Sequence, residues 1–115
     1  MKVKATFDFE AAHRLPHHPG KCRDLHGHSY RLVVTVDRPV AVDSGIAIDF
    51  SDLKKVVRHE VVDRLDHTYV NDRIDNPTAE VMVVWIWNAL RDPLPGLVEI
   101  ELWETRNCAV VYRGE

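Results

Sequence analysis

Two stretches within the first forty residues alternate between apolar and polar side chains, which predicts two strands. Successive side chains of a strand point to opposite faces, so strict alternation is the pattern of a half-buried strand. Residues 2–10 and residues 28–38 both follow it. The apolar positions are Val3, Ala5, Phe7 and Phe9 in the first strand and Tyr30, Leu32, Val34 and Val36 in the second.

The period changes after residue 49, and the new spacing predicts two helices. Residues 50–65 carry an apolar stripe at helical intervals, with Asp49 or Ser51 available as the N-cap. Residues 68–77 have the composition of a loop, and Thr78 is a candidate N-cap for a second helix over residues 78–91. The apolar positions expected to face the core are Phe50, Leu53, Val56, Val57, Val61 and Leu65 in the first helix, and Val81, Val84, Trp85 and Leu90 in the second.

Two further strands are predicted over residues 97–104 and 107–113. The element order is therefore strand, strand, helix, helix, strand, strand (ββααββ). This order predicts an α+β fold with one four-stranded, mostly antiparallel sheet and both helices on one face. The chain of 115 residues has the length of a single domain, residues 1–115.

Composition excludes several classes of function. The net charge of −3 and the pI of about 6.1 give no electrostatic basis for binding nucleic acid. No apolar run reaches the roughly 18 residues of a membrane-spanning helix, and the first residues show no apolar signal-peptide region. Two cysteines are too few for a disulfide framework. We therefore expect a cytoplasmic protein in a reducing compartment, with no nucleic-acid or membrane partner.

Three of the seven histidines fall on the apolar side of the two predicted strands. His13 shares the parity of Phe9, and His26 and His28 share the parity of Tyr30. One inward histidine is usually a core residue with a single hydrogen bond. Three that converge predict a metal site, and zinc suits imidazole ligands. Three protein ligands leave a fourth position open, as in catalytic zinc sites.

Cys22 and the Asp66–His67 pair are candidates for proton transfer. Cys22 lies between Lys21 and Arg23, and these two cations favour its thiolate form. The alternative is that Cys22 is a small buried apolar residue. Asp66 and His67 follow the first predicted helix, where His67 could simply interact with the helix dipole. The pair gains a catalytic role if the thiol needs an imidazole that is oriented by a carboxylate.

Glu104 lies at the end of a predicted strand with the inward parity of Ile100 and Leu102. A carboxylate at such a position needs a partner unless it reaches solvent. The edge of a pterin or guanine presents adjacent N–H donors that match a carboxylate. Glu104 is therefore a candidate anchor for such a ring.

Seven motifs together resemble the 6-pyruvoyltetrahydropterin synthase superfamily. They are F-x-A-A-H-R-L (9–15), K-C-R-D-L-H-G-H-S-Y (21–30), G-I-A-I-D-F (45–50), R-L-D-H (64–67), N-P-T-A-E (76–80), W-E-T (103–105) and Y-R-G-E (112–115). The resemblance covers the whole chain in matching order. Three residues separate Cys22 from His-Gly-His, as in the branch that forms a carboxylated pterin. The pyruvoyl-forming branch typically has five, and a third branch carries glutamate in place of the cysteine.

The resemblance implies a tunnelling fold that assembles as a homohexamer, a dimer of trimers. It assigns Zn²⁺ to His13, His26 and His28, the thiol base to Cys22, and the proton relay to Asp66 and His67 of a neighbouring subunit. It assigns the pterin anchor to Glu104, with Thr105 of the same motif as a further substrate-binding residue.

The implied activity is a lyase reaction in queuosine biosynthesis. It converts 7,8-dihydroneopterin triphosphate to 6-carboxy-5,6,7,8-tetrahydropterin and releases acetaldehyde and triphosphate. The alternatives are the formation of 6-pyruvoyltetrahydropterin from the same substrate, and a non-catalytic zinc protein that binds pterins or purines with Cys22 as the fourth ligand. A zinc hydrolase is disfavoured because the chain lacks a His-Glu-x-x-His pattern.

Overall fold

The computed structural model describes all 115 residues. The chain folds into one β-sheet with two helices packed on one of its faces. Helix α1 comprises an α-helix over Phe50–Val57, a π-helical turn over Arg58–Val62 and a last turn over Asp63–Leu65. Helix α2 is Ala79–Leu90, and short 3₁₀ turns occur at Lys21–Arg23 and Val70–Asp72. The strands are β1 (Lys2–His13), β2 (His26–Asp37), β3 (Thr68–Tyr69), β4 (Leu97–Trp103) and β5 (Ala109–Tyr112).

The sheet has five strands in the order β3-β1-β2-β4-β5 and is mixed. The prediction of four antiparallel strands was therefore wrong in one respect, since β3 pairs parallel to β1 through Ala11 and Thr68. The segment 68–77 was predicted to be a loop. Two residues are too few to show alternation, so this short edge strand left no pattern in the sequence.

The β1–β2 hairpin is the longest pairing in the molecule and sets the register of the core. It runs from Lys2 opposite Asp37 to His13 opposite His26, without interruption. The alternation predicted from the sequence is confirmed, because Phe9, Leu32 and their apolar neighbours on the same face are buried. The opposite face of the hairpin is polar and carries an ion pair between Asp8 and Arg31. The core therefore lies between one face of the sheet and the two helices.

A π-helical turn keeps the apolar stripe of α1 on the core side. Leu53, Val57, Val61 and Leu65 are all fully buried at intervals of four residues. Each four-residue step in a regular α-helix overshoots a full turn by about 40°. The wider turn at Arg58–Val62 rotates the chain less per residue and offsets this drift. Leu65 therefore reaches the core, and the chain leaves the helix at Asp66 beside β1.

The predicted core positions of α2 were partly wrong. Val81 and Val84 are exposed by 38% and 37%, whereas Met82, Val83 and Ile86 are buried. This helix is apolar almost all the way round, so its spacing does not select a face. Phe50, at the start of α1, was also expected inside and is instead 63% exposed.

The predicted N-caps are confirmed, since Asp49 Oδ1 accepts from Ser51 N–H and Thr78 Oγ1 accepts from Val81 N–H. Neither helix has the length and apolar composition needed to cross a membrane.

Candidate metal centre and active site

The connected end of the β1–β2 hairpin, where residues 14–25 join the strands, brings two histidines face to face. His13 is the last residue of β1 and pairs with His26, the first residue of β2. Their Nε2 atoms are 2.9 Å apart, and His13 is completely buried. Opposed positions in an antiparallel pair bring side chains of the same face together, so the register alone accounts for this contact.

His28 completes a cluster of three imidazoles. It lies two residues from His26 on the same face of β2, with its ring centroid 4.8 Å from that of His26 and 5.0 Å from that of His13. One nitrogen from each ring lies within 4.8 Å of the other two. The cluster His13, His26 and His28 could hold a metal ion.

Backbone carbonyls orient two of the three rings. His13 Nδ1–H donates to the carbonyl oxygen of Pro77 at 2.9 Å, and His26 Nδ1–H donates to that of Asp24 at 2.7 Å. A carbonyl oxygen accepts only, so each Nδ1 must carry the hydrogen. The lone pair of each Nε2 is then directed into the cluster, the arrangement that metal-binding histidines usually show.

The third ring, that of His28, also has a nitrogen available for a metal ion. His28 Nε2 is a buried polar atom without a hydrogen-bond partner. Burial is the main cause that lowers the pKa of His13 and of His28 below the usual 6.5, and the neighbouring His26 lowers both further. Neutral imidazoles with directed lone pairs are what a metal ion requires. The donor set therefore fits a divalent metal ion.

Glu104 lies directly beside the cluster. Its Oε1 atom is 3.6 Å from both His13 Nε2 and His28 Nε2. The carboxylate lines a cavity of about 1090 Å³ together with His28, Tyr30 and Arg31. Tyr30 is buried against Phe9, and burial raises the pKa of its hydroxyl well above 10. His28 of the cluster and the predicted pterin anchor therefore line the same cavity, whose volume exceeds that of a bicyclic ring.

Thr105 shapes the turn that carries Glu104. Its Oγ1 accepts from Asn107 N–H at 3.3 Å and from Cys108 N–H at 3.2 Å. Glu104 N–H donates to the carbonyl oxygen of Cys108 at 3.1 Å. These bonds close the β4–β5 connection and fix the backbone of Glu104. The hydroxyl hydrogen of Thr105 is still free to donate.

Cys22 lies in the 3₁₀ turn between the two hairpin strands. It is half-buried and free, and its carbonyl oxygen accepts from Leu15 N–H at 2.9 Å. It does not belong to the metal-binding cluster. The flanking Lys21 and Arg23 are exposed.

Asp66 and His67 form a pair that is tied to β1. His67 Nδ1 is 3.0 Å from Asp66 Oδ1. The backbone of Glu10 binds both residues, because its N–H donates to Asp66 Oδ1 at 2.9 Å and its carbonyl oxygen accepts from His67 N–H at 2.6 Å. The bond from Glu10 N–H is the main cause that lowers the pKa of Asp66. His67 has a φ of 58°, an unusual and strained conformation for a residue other than glycine.

His28, Glu104 and Thr105 line one cavity, and His13 and His26 adjoin it through their contacts with His28. A second cavity, of about 500 Å³, is lined by both His28 and His67. No hydrogen bond or ion pair joins Cys22 or the Asp66–His67 pair to the histidine cluster. His67 precedes β3 on one side of β1, whereas Glu104 follows β4 on the far side of β2.

Comparison with known proteins identifies the family of the chain. The sequence model of the family described as 6-pyruvoyl tetrahydropterin synthase matches residues 2–115. The chain belongs to this family.

The names of the relatives within this family refer to more than one enzymatic activity. It is 44% identical over 117 residues to a 6-carboxy-5,6,7,8-tetrahydropterin synthase of Synechocystis, covering 96% of this chain and 91% of the relative. It is 40% identical over 109 residues to a dihydroneopterin monophosphate aldolase of Pyrococcus furiosus, covering 90% and 91%. The structure of a Caenorhabditis elegans 6-pyruvoyl tetrahydropterin synthase superposes with a TM-score of 0.91 at 24% identity, covering 100% and 96%. That last similarity establishes the fold.

Three residues that hold the site were not predicted from the sequence: Pro77, Asp24 and Glu10. Pro77 and Asp24 act through backbone carbonyls and Glu10 through its backbone N–H and carbonyl, so side-chain chemistry in the sequence gave no signal for any of the three. The N-P-T-A-E motif did mark the Pro77 position. The structure explains its place there, since Pro77 leads into the α2 N-cap at Thr78 while its carbonyl holds His13.

Proposed function

We propose that the protein is a zinc-dependent 6-carboxy-5,6,7,8-tetrahydropterin synthase acting in queuosine biosynthesis in the cytoplasm. It takes 7,8-dihydroneopterin triphosphate and water and forms 6-carboxy-5,6,7,8-tetrahydropterin, acetaldehyde and triphosphate. The observation that carries the proposal is the cluster of three converging imidazoles, with the Glu104 carboxylate 3.6 Å from two of them. The Synechocystis relative and the short Cys22-to-His26 spacing favour this product.

The metal would be held by His13, His26 and His28 through one ring nitrogen each. When bound, the ion acts as a Lewis acid that polarises oxygen atoms of the substrate side chain. The buried, unpartnered Nε2 of His28 and the carbonyl-oriented rings of His13 and His26 support this assignment. The tetrahedral preference of zinc and its affinity for imidazole favour zinc over other divalent ions.

Each remaining residue has a role that follows from its chemistry. The Glu104 carboxylate accepts two parallel N–H bonds from the pyrimidine edge of the pterin and fixes the orientation of the ring. Thr105 holds the turn of Glu104, and its free hydroxyl hydrogen can donate to the substrate. The Cys22 thiolate removes a proton from the side-chain carbon next to the ring. His67, oriented by Asp66, receives and returns protons as triphosphate is eliminated and the carbon–carbon bond breaks.

A complete site requires more than one copy of the chain. Asp66–His67 and Glu104 lie on opposite sides of the β1–β2 hairpin, so we propose that a neighbouring copy supplies the relay. The shape of the chain supports assembly: its radius of gyration of 15.1 Å exceeds the roughly 13 Å expected for a compact domain of this length. A 12-residue strand spans about 40 Å, and a 12-residue helix covers about 18 Å of it. A homohexamer of two trimers would cover the remaining sheet.

Two other activities are compatible with the same site. The 6-pyruvoyl product arises if the carbon–carbon bond stays intact after triphosphate has left. Aldol cleavage of dihydroneopterin monophosphate is favoured by the Pyrococcus relative, which is 40% identical over nearly the whole chain. All three reactions need a pterin anchor, a thiol or other base, and a polarised side chain, so the same assembled site suits each of them.

The deciding experiment is incubation with 7,8-dihydroneopterin triphosphate, with and without a zinc chelator, followed by mass analysis of the pterin and assay of acetaldehyde. We expect a 6-carboxylated pterin, one acetaldehyde per turnover and loss of both with chelator. A pyruvoyl product without acetaldehyde would assign the first alternative. Faster turnover of dihydroneopterin monophosphate with a different aldehyde would assign the second. No reaction with either substrate would contradict an enzymatic role.

A further inference from the structure

The loop that joins β1 to β2, residues 14–25, carries Cys22 and is almost entirely exposed. Leu15 is its one buried residue, and Cys22 is half-buried. The backbone–backbone hydrogen bonds of this loop are internal, and one of them joins Leu15 N–H to the Cys22 carbonyl oxygen at 2.9 Å. The position of the thiol relative to the strands therefore depends on what fixes Leu15 and its neighbour Arg14.

Asn71 fixes the backbone of Arg14 through both groups of its side-chain amide. Asn71 Oδ1 accepts from Arg14 N–H at 2.9 Å, and Asn71 Nδ2–H donates to the Arg14 carbonyl oxygen at 2.9 Å. A carboxamide offers the same donor and acceptor as a peptide group, so this side chain serves as a backbone partner. One residue therefore satisfies both backbone groups at the start of the loop.

The place of Asn71 continues the parallel pairing of β1 and β3. The two strands pair with Ala11 opposite Thr68, a separation of 57 positions, and the same separation relates Arg14 to Asn71. The backbone after β3 forms the 3₁₀ turn Val70–Asp72 instead of a strand. The register of the two strands is thus carried past the end of the ladder by a side chain, and the loop receives a fixed starting point.

We propose that Asn71 is a positioning residue for the Cys22 thiol. Asn71 clamps Arg14, the next residue is Leu15, and Leu15 N–H holds the backbone of Cys22. The inference rests on the proposed function for the role of Cys22 as the base. The clamp itself is a property of the fold and can be tested without substrate.

The clamp acts on the thiol loop and not on the metal centre. The three imidazoles are placed by the β1–β2 register and by the carbonyl oxygens of Pro77 and Asp24. None of these contacts involves Asn71. Loss of the Asn71 amide should therefore leave the zinc content at the wild-type level and displace the loop alone.

The first test measures access to the thiol in zinc-loaded protein. Every protein carries Cys108→Ser, because Cys108 is also free and is exposed. Alkylation of Cys22 by iodoacetamide is followed by mass analysis at about pH 9.5, where a thiol with a pKa of about 8.5 or lower is mostly thiolate and the rate reports access. Asn71→Ala should raise this rate about threefold or more, because the released loop opens more often.

Two further variants make this test specific. Asn88→Ala is the matched control, because Asn88 is an exposed amide on α2 whose side chain makes no hydrogen bond, and it should leave the rate unchanged. Asn71→Asp keeps the shape and the acceptor for Arg14 N–H but loses the donor to the Arg14 carbonyl oxygen. Its alkylation rate should therefore lie between those of the unsubstituted protein and of Asn71→Ala.

The second test measures the turnover of 7,8-dihydroneopterin triphosphate by zinc-loaded protein. A misplacement of about 1 Å costs up to about 100-fold in rate, so Asn71→Ala should lower kcat about 10- to 100-fold. KM should stay near the wild-type value, because Asn71 does not line the cavity beside the histidine cluster. Asn71→Asp should recover part of the lost kcat, and Asn88→Ala should turn over as wild type does.

The proposal is overturned if Cys22 of Asn71→Ala is alkylated no faster than Cys22 of Asn88→Ala, or if Asn71→Ala keeps the wild-type kcat. Equal alkylation rates for Asn71→Asp and Asn71→Ala would also overturn it, since the hydrogen bond to Arg14 N–H would then hold nothing. If Asn71→Ala loses its zinc, Asn71 supports the fold as a whole and the proposal is wrong. If alkylation responds as expected but the wild-type protein turns over no substrate, the proposed function fails while the clamp on the thiol loop stands.

Discussion

Metal binding should stabilise the folded protein by an amount that can be worked out in advance. The three imidazoles converge only in the folded chain, since two are the paired ends of the β1–β2 hairpin. Free zinc at 100 times its dissociation constant then adds about 2.7 kcal/mol to the free energy of unfolding. With an unfolding entropy of about 2.1 cal/mol/K per residue, a chain of 115 residues has about 0.24 kcal/mol/K. The melting temperature should therefore rise by about 11 °C.

The measurement is a thermal melt of metal-free protein with and without buffered zinc. His28→Ala removes one ligand, and a 100-fold loss of affinity would leave only about 0.4 kcal/mol, or under about 2 °C, at the same zinc concentration. The matched control is His59→Ala, because the His59 side chain is 77% exposed on α1 and outside the cluster. It should show the full shift. A wild-type shift that His28→Ala preserves, or no shift at all, would refute the assignment of the cluster.

Three further outcomes follow from the site. Burial lowers the pKa of His13 and of His28 in the folded state, whereas the same histidines in the unfolded chain bind protons below about pH 6.5. The free energy of unfolding of the metal-free protein, measured with urea, should therefore fall as the pH falls from 6.5, by at most about 1.4 kcal/mol per pH unit for each histidine. A flat profile from pH 7 to 5 would contradict their burial. Cys22→Ala should keep its zinc content and its stability within about 0.5 kcal/mol yet lose turnover, and a near-wild-type rate would remove the thiol from the mechanism. Thr105→Ala should lose about 1 kcal/mol of stability and bind pterin more weakly, because the turn that carries Glu104 loosens. Thr105→Ser keeps the hydroxyl and should restore both stability and pterin binding. Equal behaviour of the two variants would show that the hydroxyl does not hold the turn.

The hairpin and the histidine cluster could be predicted because both depend on one local rule. Alternation along β1 and β2 assigns each side chain to a face, and the same parity that buries Phe9 buries His13. The pairing of His13 with His26 was not predicted, because alternation assigns faces but does not fix the register of two strands. The strand ends were less predictable, since β2 begins at His26 rather than at residue 28. Its first residues are half-exposed and carry no apolar signal.

What the sequence did not reveal depends on contacts between distant segments. Strand β3 exists because two residues after α1 pair with Ala11 and Ala12, and a two-residue strand has no period. The carbonyl of Pro77 orients His13 across 64 positions, and any residue could supply that oxygen. The face of α2 that packs on the sheet was ambiguous because nearly every side chain of this helix is apolar. In each case the decisive interaction is non-local or made by the backbone.

The geometry of the metal cluster is protected by the hydrophobic core itself. A slip of one residue in the β1–β2 register would turn every side chain of one strand to the other face. His26 and His28 would then leave His13, and at the same time Leu32 and Val34 would leave the core, at a cost of about 1.5–3 kcal/mol for each exposed side chain. Slipped registers that break the site are therefore also the least stable ones. The carboxylate of Glu104 has no such constraint, because it extends from a turn and is held only through its backbone. The three imidazoles are thus a fixed part of the fold, because the register that buries the core also brings them together.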